Sequence, residues 1–179
     1  MCSSDLHMGI ENPELRVWVS NNMDVKGIVS EASITATDAE GKKVVVEIDT
    51  ESQPLVIHPH TTVDENGYPI GETMTSIIIT DKPFTGEKQP NTCYAVAKNG
   101  QKLSDLLYNI PKTVAFDCTV AADKDYEGTI KLGYKDASKQ EGWYKIQPSY
   151  EVYAPLNFTK DAVIVYRDSI TGWNEDLED

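Results

Sequence analysis

Long apolar runs are missing from this 179-residue chain, and no stretch approaches the roughly 18 residues that a membrane-spanning helix requires. Histidine is scarce, with 3 in all, and the chain has no Gly-x-Ser-x-Gly elbow, no His-Glu-x-x-His pair and no glycine-rich phosphate loop. The common hydrolase, zinc-peptidase and nucleotide-binding signatures are therefore absent. Positive charge is in short supply, since 16 Lys and Arg stand against 29 Asp and Glu, a formal net charge of −13. Lys42, Lys43, Lys131, Lys135 and Lys145 are scattered and form no basic stripe. Such a surface repels phosphate backbones and anionic lipid, which argues against nucleic acid as a partner. Cysteine is also low, at 3. Cys93 and Cys118 both fall in strand-like runs and read as buried thiols acting as small hydrophobes, with pairing left open. Internal repeats and low-complexity tracts are lacking too.

The third cysteine, Cys2, belongs to a segment that reads as an artefact. Residues 1–6, Met-Cys-Ser-Ser-Asp-Leu, match codon for codon the translated end of a common short-read sequencing adapter, and are set aside from fold reasoning. The alternative is a tag remnant ending in His7-Met8. No apolar signal segment precedes Cys2 that would make it a lipid-bearing cysteine. On this reading the chain is a metagenomic fragment whose natural N-terminus, with any targeting signal, is lost. The rest divides into one domain over residues 7–168 and an acidic tail over 169–179, expected to be a linker or the truncated start of a following domain. A domain of this size buries about 70% of its unfolded surface, so it needs neither metal nor disulfide to fold, and no cofactor is expected.

What the chain does contain is alternation with a period of two. Leu15, Val17 and Val19 alternate with Arg16 and Trp18. Ile28, Ala32, Ile34 and Ala36 line one face of a longer strand, which turns at Asp38-Ala39-Glu40-Gly41 into a second strand over residues 43–49. Short apolar runs follow at 55–57 and 76–79, where Ile77-Ile78-Ile79 is apolar on both faces and is expected in a sheet interior, and Asp64-Glu65-Asn66-Gly67-Tyr68-Pro69 between them reads as an exposed loop. Val114, Phe116, Cys118 and Val120 form one face of the next strand, Ile130, Leu132 and Tyr134 one face of another. Tyr144, Ile146, Tyr150 and Val152 do the same across 143–153, with Pro148 marking a bulge or an edge. Leu103, Leu106, Leu107 and Ile110 fit a single helix closed by Pro111. This pattern predicts an all-β fold, an Ig-like, Greek-key β-sandwich with one short helix.

Few residues suggest chemistry. Asp123, Asp125 and Glu127, with Gly128 behind them, resemble the opening of a calcium loop and form a candidate metal set. The twelfth position is Tyr134 where a bidentate glutamate is needed, and a strand is expected to follow, so a solvated turn is the better reading. His58 and His60 could share a face in an extended segment, with Asp64 or Glu65 as further ligands, but nothing in the spacing demands it and exposed loop histidines are expected. Among the aromatics, Tyr144 and Tyr150 share the inward face with Ile146 and Val152. Trp143 and Tyr153 fall on the opposite face and are the candidate ligand-binding residues.

Two stretches carry a resemblance. Asn12-Pro13, Ser20-Asn21-Asn22 and the hairpin Asp38-Ala39-Glu40-Gly41-Lys42 form the first. The second runs from Leu103-Ser104-Asp105-Leu106-Leu107 and Ile110-Pro111 to Tyr150-Glu151-Val152-Tyr153-Ala154-Pro155-Leu156-Asn157-Phe158, Ile164-Val165-Tyr166, Asp168 and Gly172-Trp173. Together they resemble the Ig-like modules of uncharacterised Bacteroidetes surface lipoproteins. The resemblance implies tandem sandwich modules, a cell-surface or secreted location, and membrane attachment only through a lipid anchor lost with the N-terminus. It supplies no functional residue. The function expected is a non-catalytic structural or adhesive module of a multi-domain surface lipoprotein; the alternative is a glycan-binding accessory module using exposed aromatics. The partners expected are a glycan or another surface protein.

Overall fold

The alternation of the sequence becomes two facing sheets. The computed structural model describes residues 10, 12–108, 111–131, 144–156 and 162–168. In β1 (Glu14–Asn21), Leu15, Val17 and Val19 are buried while Glu14, Arg16 and Trp18 are only half-buried on the other face. This strand is the centre of a five-stranded sheet in the order β6 (Thr92–Val96), β5 (Thr73–Thr80), β1, β8 (Ile146–Leu156), β9 (Ala162–Asp168). The second sheet is organised around β2 (Gly27–Thr37). One edge of β2 pairs with β3 (Lys43–Glu47) and β4 (Leu55–Ile57), and the other pairs with β7 (Thr113–Ala122). The molecule is an all-β sandwich.

Val17, Ile77 and Ile79 from the first sheet and Ile34, Val46, Leu55 and Ile57 from the second are at most 2% exposed and make the core between the sheets. Full burial of each such side chain contributes about 1.5–3 kcal/mol. Helix α1 (Leu103–Leu107) packs on β2 and β3, burying Leu103, Leu106 and Leu107. It is shorter than the apolar spacing suggests. Ile110 lies outside the described residues, as do Leu132, Tyr134, Trp143 and the acidic tail.

Local departures have physical causes. A bulge between Val29 and Glu31 inserts a residue into β2 and reverses the phase of the strand on either side of it. Gly27 and Val29 are therefore buried with Ala32, Ile34 and Ala36, while Ile28, expected inside, turns away from them. Val120, expected on the core face of β7, is 40% exposed, beyond the stretch where Val114, Phe116 and Cys118 pack against the core. The segment expected to form a strand through Ile130 is not one at residues 128–131. Asp24 holds this segment: it accepts the Tyr126 hydroxyl at 2.5 Å and the Thr129 N–H at 2.8 Å. Glycine at position 128 permits the approach, because a Cβ there would collide with the Asp24 carbonyl. Tyr144 lies before β8, and its hydroxyl donates to the Lys131 carbonyl. Pro148 produces no bulge; it sits in register with Val19, at a part of β8 that β9, pairing only from Tyr150 onward, does not reach.

One pairing is not antiparallel. β5 and β6 run parallel, so residues 81–91 must carry the chain back along the sheet. Gln89 and Phe84, from this crossover, lie against the outer face of the five-stranded sheet.

Candidate functional site

The outer face of the five-stranded sheet is built in cross-strand rows. One row places Thr92, Ser76, Trp18 and Ser149 side by side on β6, β5, β1 and β8. The next places Tyr94, Ile78, Arg16 and Glu151 in the same order, and a third has Val96, Thr80, Glu14 and Tyr153. Trp18 thus has serine as its neighbour on both flanking strands. Adjacent strands lie about 4.8 Å apart, so two small side chains leave the sides of the indole uncovered and put a hydroxyl beside each.

The crossover supplies a wall. Phe84 stacks on Tyr94 with ring centres 3.8 Å apart and planes 9° from parallel, which buries Tyr94 although it lies on the outer face. Gly86 allows this, since a Cβ there would lie 2.7 Å from the tip of the Phe84 ring. Arg16, Trp18, Ser76, Ile78, Gln89, Thr92 and Tyr94 then surround an open cavity of about 190 Å³. Its surface combines a flat indole with hydroxyl, amide and guanidinium groups, which is equipment for recognition by stacking and hydrogen bonding.

Tyr153, a candidate from the sequence, lies on this face. Arg16 spans the rows, its guanidinium carbon 5.2 Å from the Tyr153 ring centre. Two nitrogens of Arg16 donate to one carboxylate oxygen of Glu14, at 2.7 and 3.0 Å. Trp143, the other sequence candidate, lies outside the described residues. Trp18 and Arg16 could have been found from their alternation with Leu15, Val17 and Val19. Tyr94, Phe84 and Gln89 could not, because only the parallel crossover brings them to this face.

The candidate metal residues are placed differently. Asp123 forms an ion pair of 2.8 Å with Lys26 and accepts the Asp125 N–H at 3.0 Å, as in a side-chain-capped turn. The Lys26 ammonium, followed by the Asp125 N–H, holds the Asp123 carboxyl below its ordinary range. Asp125 pairs with Lys124 at 3.2 Å. The structure gives Glu127 no part in these pairs. His60 is buried, contrary to the exposed loop position expected. Its ring nitrogens contact the Thr73 hydroxyl at 3.0 Å and the Ile70 carbonyl at 2.9 Å, fastening the 61–72 loop. His58 is half-buried and bonds through its backbone to Thr75 and Asn21. Among the described residues no cluster of three or more His, Cys, Asp or Glu is arranged to hold a metal.

Cys93 and Cys118 are unpaired and half-buried. Burial, reinforced by the neighbouring Asp117 charge, pushes the Cys118 thiol up, away from nucleophilic reactivity. Cys118 lines a wider trough of about 620 Å³ on the second sheet, beside the β2 bulge, with Glu31, Glu47, Glu51 and Asp117 among its residues. Lys98, also at this trough, is paired with Glu51 at 2.8 Å. No described helix is long and apolar enough to cross a membrane. No protein-family model, no curated protein and no solved structure matches the chain.

Proposed function

We propose that the chain is a non-catalytic, adhesive β-sandwich module of a multi-domain bacterial cell-surface lipoprotein, and that it adheres through carbohydrate bound on the outer face of the five-stranded sheet. The observation that carries the carbohydrate reading is the setting of Trp18, flanked by Ser76 and Ser149 and opening onto a cavity that Gln89, Thr92 and Arg16 also line. A pyranose presents an apolar face of C–H bonds and a rim of hydroxyls. The indole matches the first, and the surrounding hydroxyl, amide and guanidinium groups match the second. Surface placement is supported by the resemblance that runs through residues 150–158 and 164–168.

The test is titration with soluble polysaccharides, followed by tryptophan fluorescence and by retardation in native gels containing the polysaccharide. Trp18 is one of 3 tryptophans, so the comparison that matters is between the parent chain and Trp18→Ala. Retardation of the parent and its loss in Trp18→Ala is the expected result. A broad panel that leaves both proteins unaffected rejects the carbohydrate reading. Surface placement is checked separately, by protease shaving of intact cells that express the full-length protein.

A further inference from the structure

We infer that the open edge of β7 receives an added β-strand, an extended segment of another polypeptide that is apolar toward the core and basic beside Asp117. The inference goes beyond the carbohydrate reading and uses the other sheet. β7 is 10 residues long, pairs only with β2 among the described residues, and carries none of the lysines or prolines that guard an edge strand. Its open groups follow from the register. The Ala32 carbonyl turns to the β3 side of β2, where it accepts the Ile48 N–H at 2.9 Å. Ala32 is the partner of Cys118, and partners in an antiparallel ladder point either at each other or both away. Cys118 therefore turns its N–H and C=O away from β2, and Phe116 and Val114 do so with period two. At the end of the strand the Asp123 N–H donates to the Lys26 carbonyl at 2.8 Å, which by the same alternation turns Val120 outward. The Val114 carbonyl accepts the Tyr150 hydroxyl at 2.9 Å. The backbone groups of Phe116, Cys118 and Val120 on this edge have no such partner among the described residues.

The core is incomplete beside the same edge. Tyr150 reaches Val114, so β8 lies over β7, as Leu15 of β1 lies over Ile34 of β2. β9 pairs with the far side of β8 and overhangs β7 by one strand. Near this overhang Val114, Phe116 and Cys118 pack on the core yet stay half-buried, and Val120 is 40% exposed. A strand laid along β7 would sit beneath β9, cover these side chains and complete the ladder. The overhang also selects the occupant. Two copies joined edge to edge through β7 are related by a twofold axis perpendicular to the sheet, which would drive each β9 into the space of the other copy's β8. A single extended segment meets no such obstacle. On the solvent face Asp117 is the one charged residue of β7 and makes no ion pair among the described residues. Its register partner is Ser33, and Glu47 follows on β3. A lysine on the added strand opposite Asp117 would bring the two Cβ atoms to about 5 Å.

The experiment is residue-by-residue amide exchange of the whole chain by NMR, alone and with the capped peptide Thr-Val-Lys-Val-Lys-Val-Thr. In the free chain, slow exchange is expected at Ala115, Asp117 and Thr119, which face β2, and fast exchange at Phe116, Cys118 and Val120. The peptide should slow those last three amides about tenfold or more. A peptide with Glu in place of Lys should bind about fivefold more weakly, and Asp117→Lys should reverse that preference. Cys118→Pro removes an outward N–H without touching the ladder to β2, so it should abolish the peptide's effect. Slow exchange of the three amides in the free chain at every protein concentration would mean that the chain covers its own edge. Protection that grows with protein concentration would mean that a second copy does. Either result overturns the proposal, as does failure of the Lys peptide to slow these amides. Equal protection by both peptides overturns the role of Asp117. Trp18→Ala should leave every one of these results unchanged.

Discussion

Arg16 and Tyr153 lie diagonally across β1 and β8, the guanidinium carbon 5.2 Å from the ring centre, while Arg16 is held from behind by Glu14. Two groups that each look like an independent surface residue in the sequence are thus one unit. Partly exposed cation–aromatic pairs contribute about 0.5–1 kcal/mol. A double-mutant cycle with Arg16→Gln and Tyr153→Ala, read by urea unfolding, is expected to give a coupling energy of about 0.5 kcal/mol. Strict additivity of the two substitutions would show that the stacking contributes nothing.

The crossover offers a second handle on the same face. Gly86→Ala places a methyl group 2.7 Å from the Phe84 ring tip, so the ring must shift from its present stacking on Tyr94. Because a side-chain tip can move where backbone cannot, the stability cost is expected to stay below about 1.5 kcal/mol. Tyr94, now less covered, should become more accessible to solvent and its aromatic proton resonances should shift downfield as the stacked ring moves. Unchanged Tyr94 resonances would mean that Phe84 is not where the stacking geometry puts it.

Legibility of the fold followed the range of the forces involved. Alternation in β1 and β8, the Asp38–Gly41 turn with Gly41 at φ 85°, and the core role of Tyr150 were all readable, because each depends on neighbours a few residues away. The β2 bulge was not. A single inserted residue at Ser30 leaves the composition of the strand unchanged yet moves Ile28 out of phase. His60 was misplaced for a similar reason: its partners, Thr73 and Ile70, are ten or more residues downstream. The candidate site was half visible. Tyr153 and the outward phase of Trp18 follow from period two, but the serines beside Trp18 become its neighbours only through the registers of β5 and β8.

Asn21, at the end of β1, is fully buried and spends its amide on the backbone. Its nitrogen donates to the carbonyls of Val25 at 2.9 Å and His58 at 3.0 Å, and its oxygen accepts the Met23 N–H at 2.9 Å. Asn21→Ala leaves all three backbone groups without this partner, and a destabilisation of about 2–4 kcal/mol is expected. Asn21→Asp should do no better, since it keeps the acceptor but turns a negative charge toward two carbonyls. Urea midpoints for the two variants decide this. A loss under about 0.5 kcal/mol in both would mean that the amide is dispensable.

Acid should weaken the junction between β7 and the start of β2. Lys26 holds Asp123 at 2.8 Å, and hydrogen bonding from that ammonium is the largest cause of a carboxyl pKa below its ordinary 3.8. Asp49 is lowered likewise, chiefly by the Ser52 backbone N–H and then by the Ser52 hydroxyl. A carboxyl depressed in the folded state binds its proton less tightly there than in the unfolded chain. Its stabilisation is therefore fully present above the unfolded pKa and is lost as pH falls through the folded one. For Asp123 that window opens near pH 4 and extends below it. Lys26→Met removes the principal cause, so the variant should be less stable than the parent at pH 7 and should approach it as pH drops toward 2. Urea midpoints measured for both proteins across this range test the linkage. A gap between them that stays constant from pH 7 to 2 would show that the Asp123 charge plays no part in what Lys26 contributes to stability.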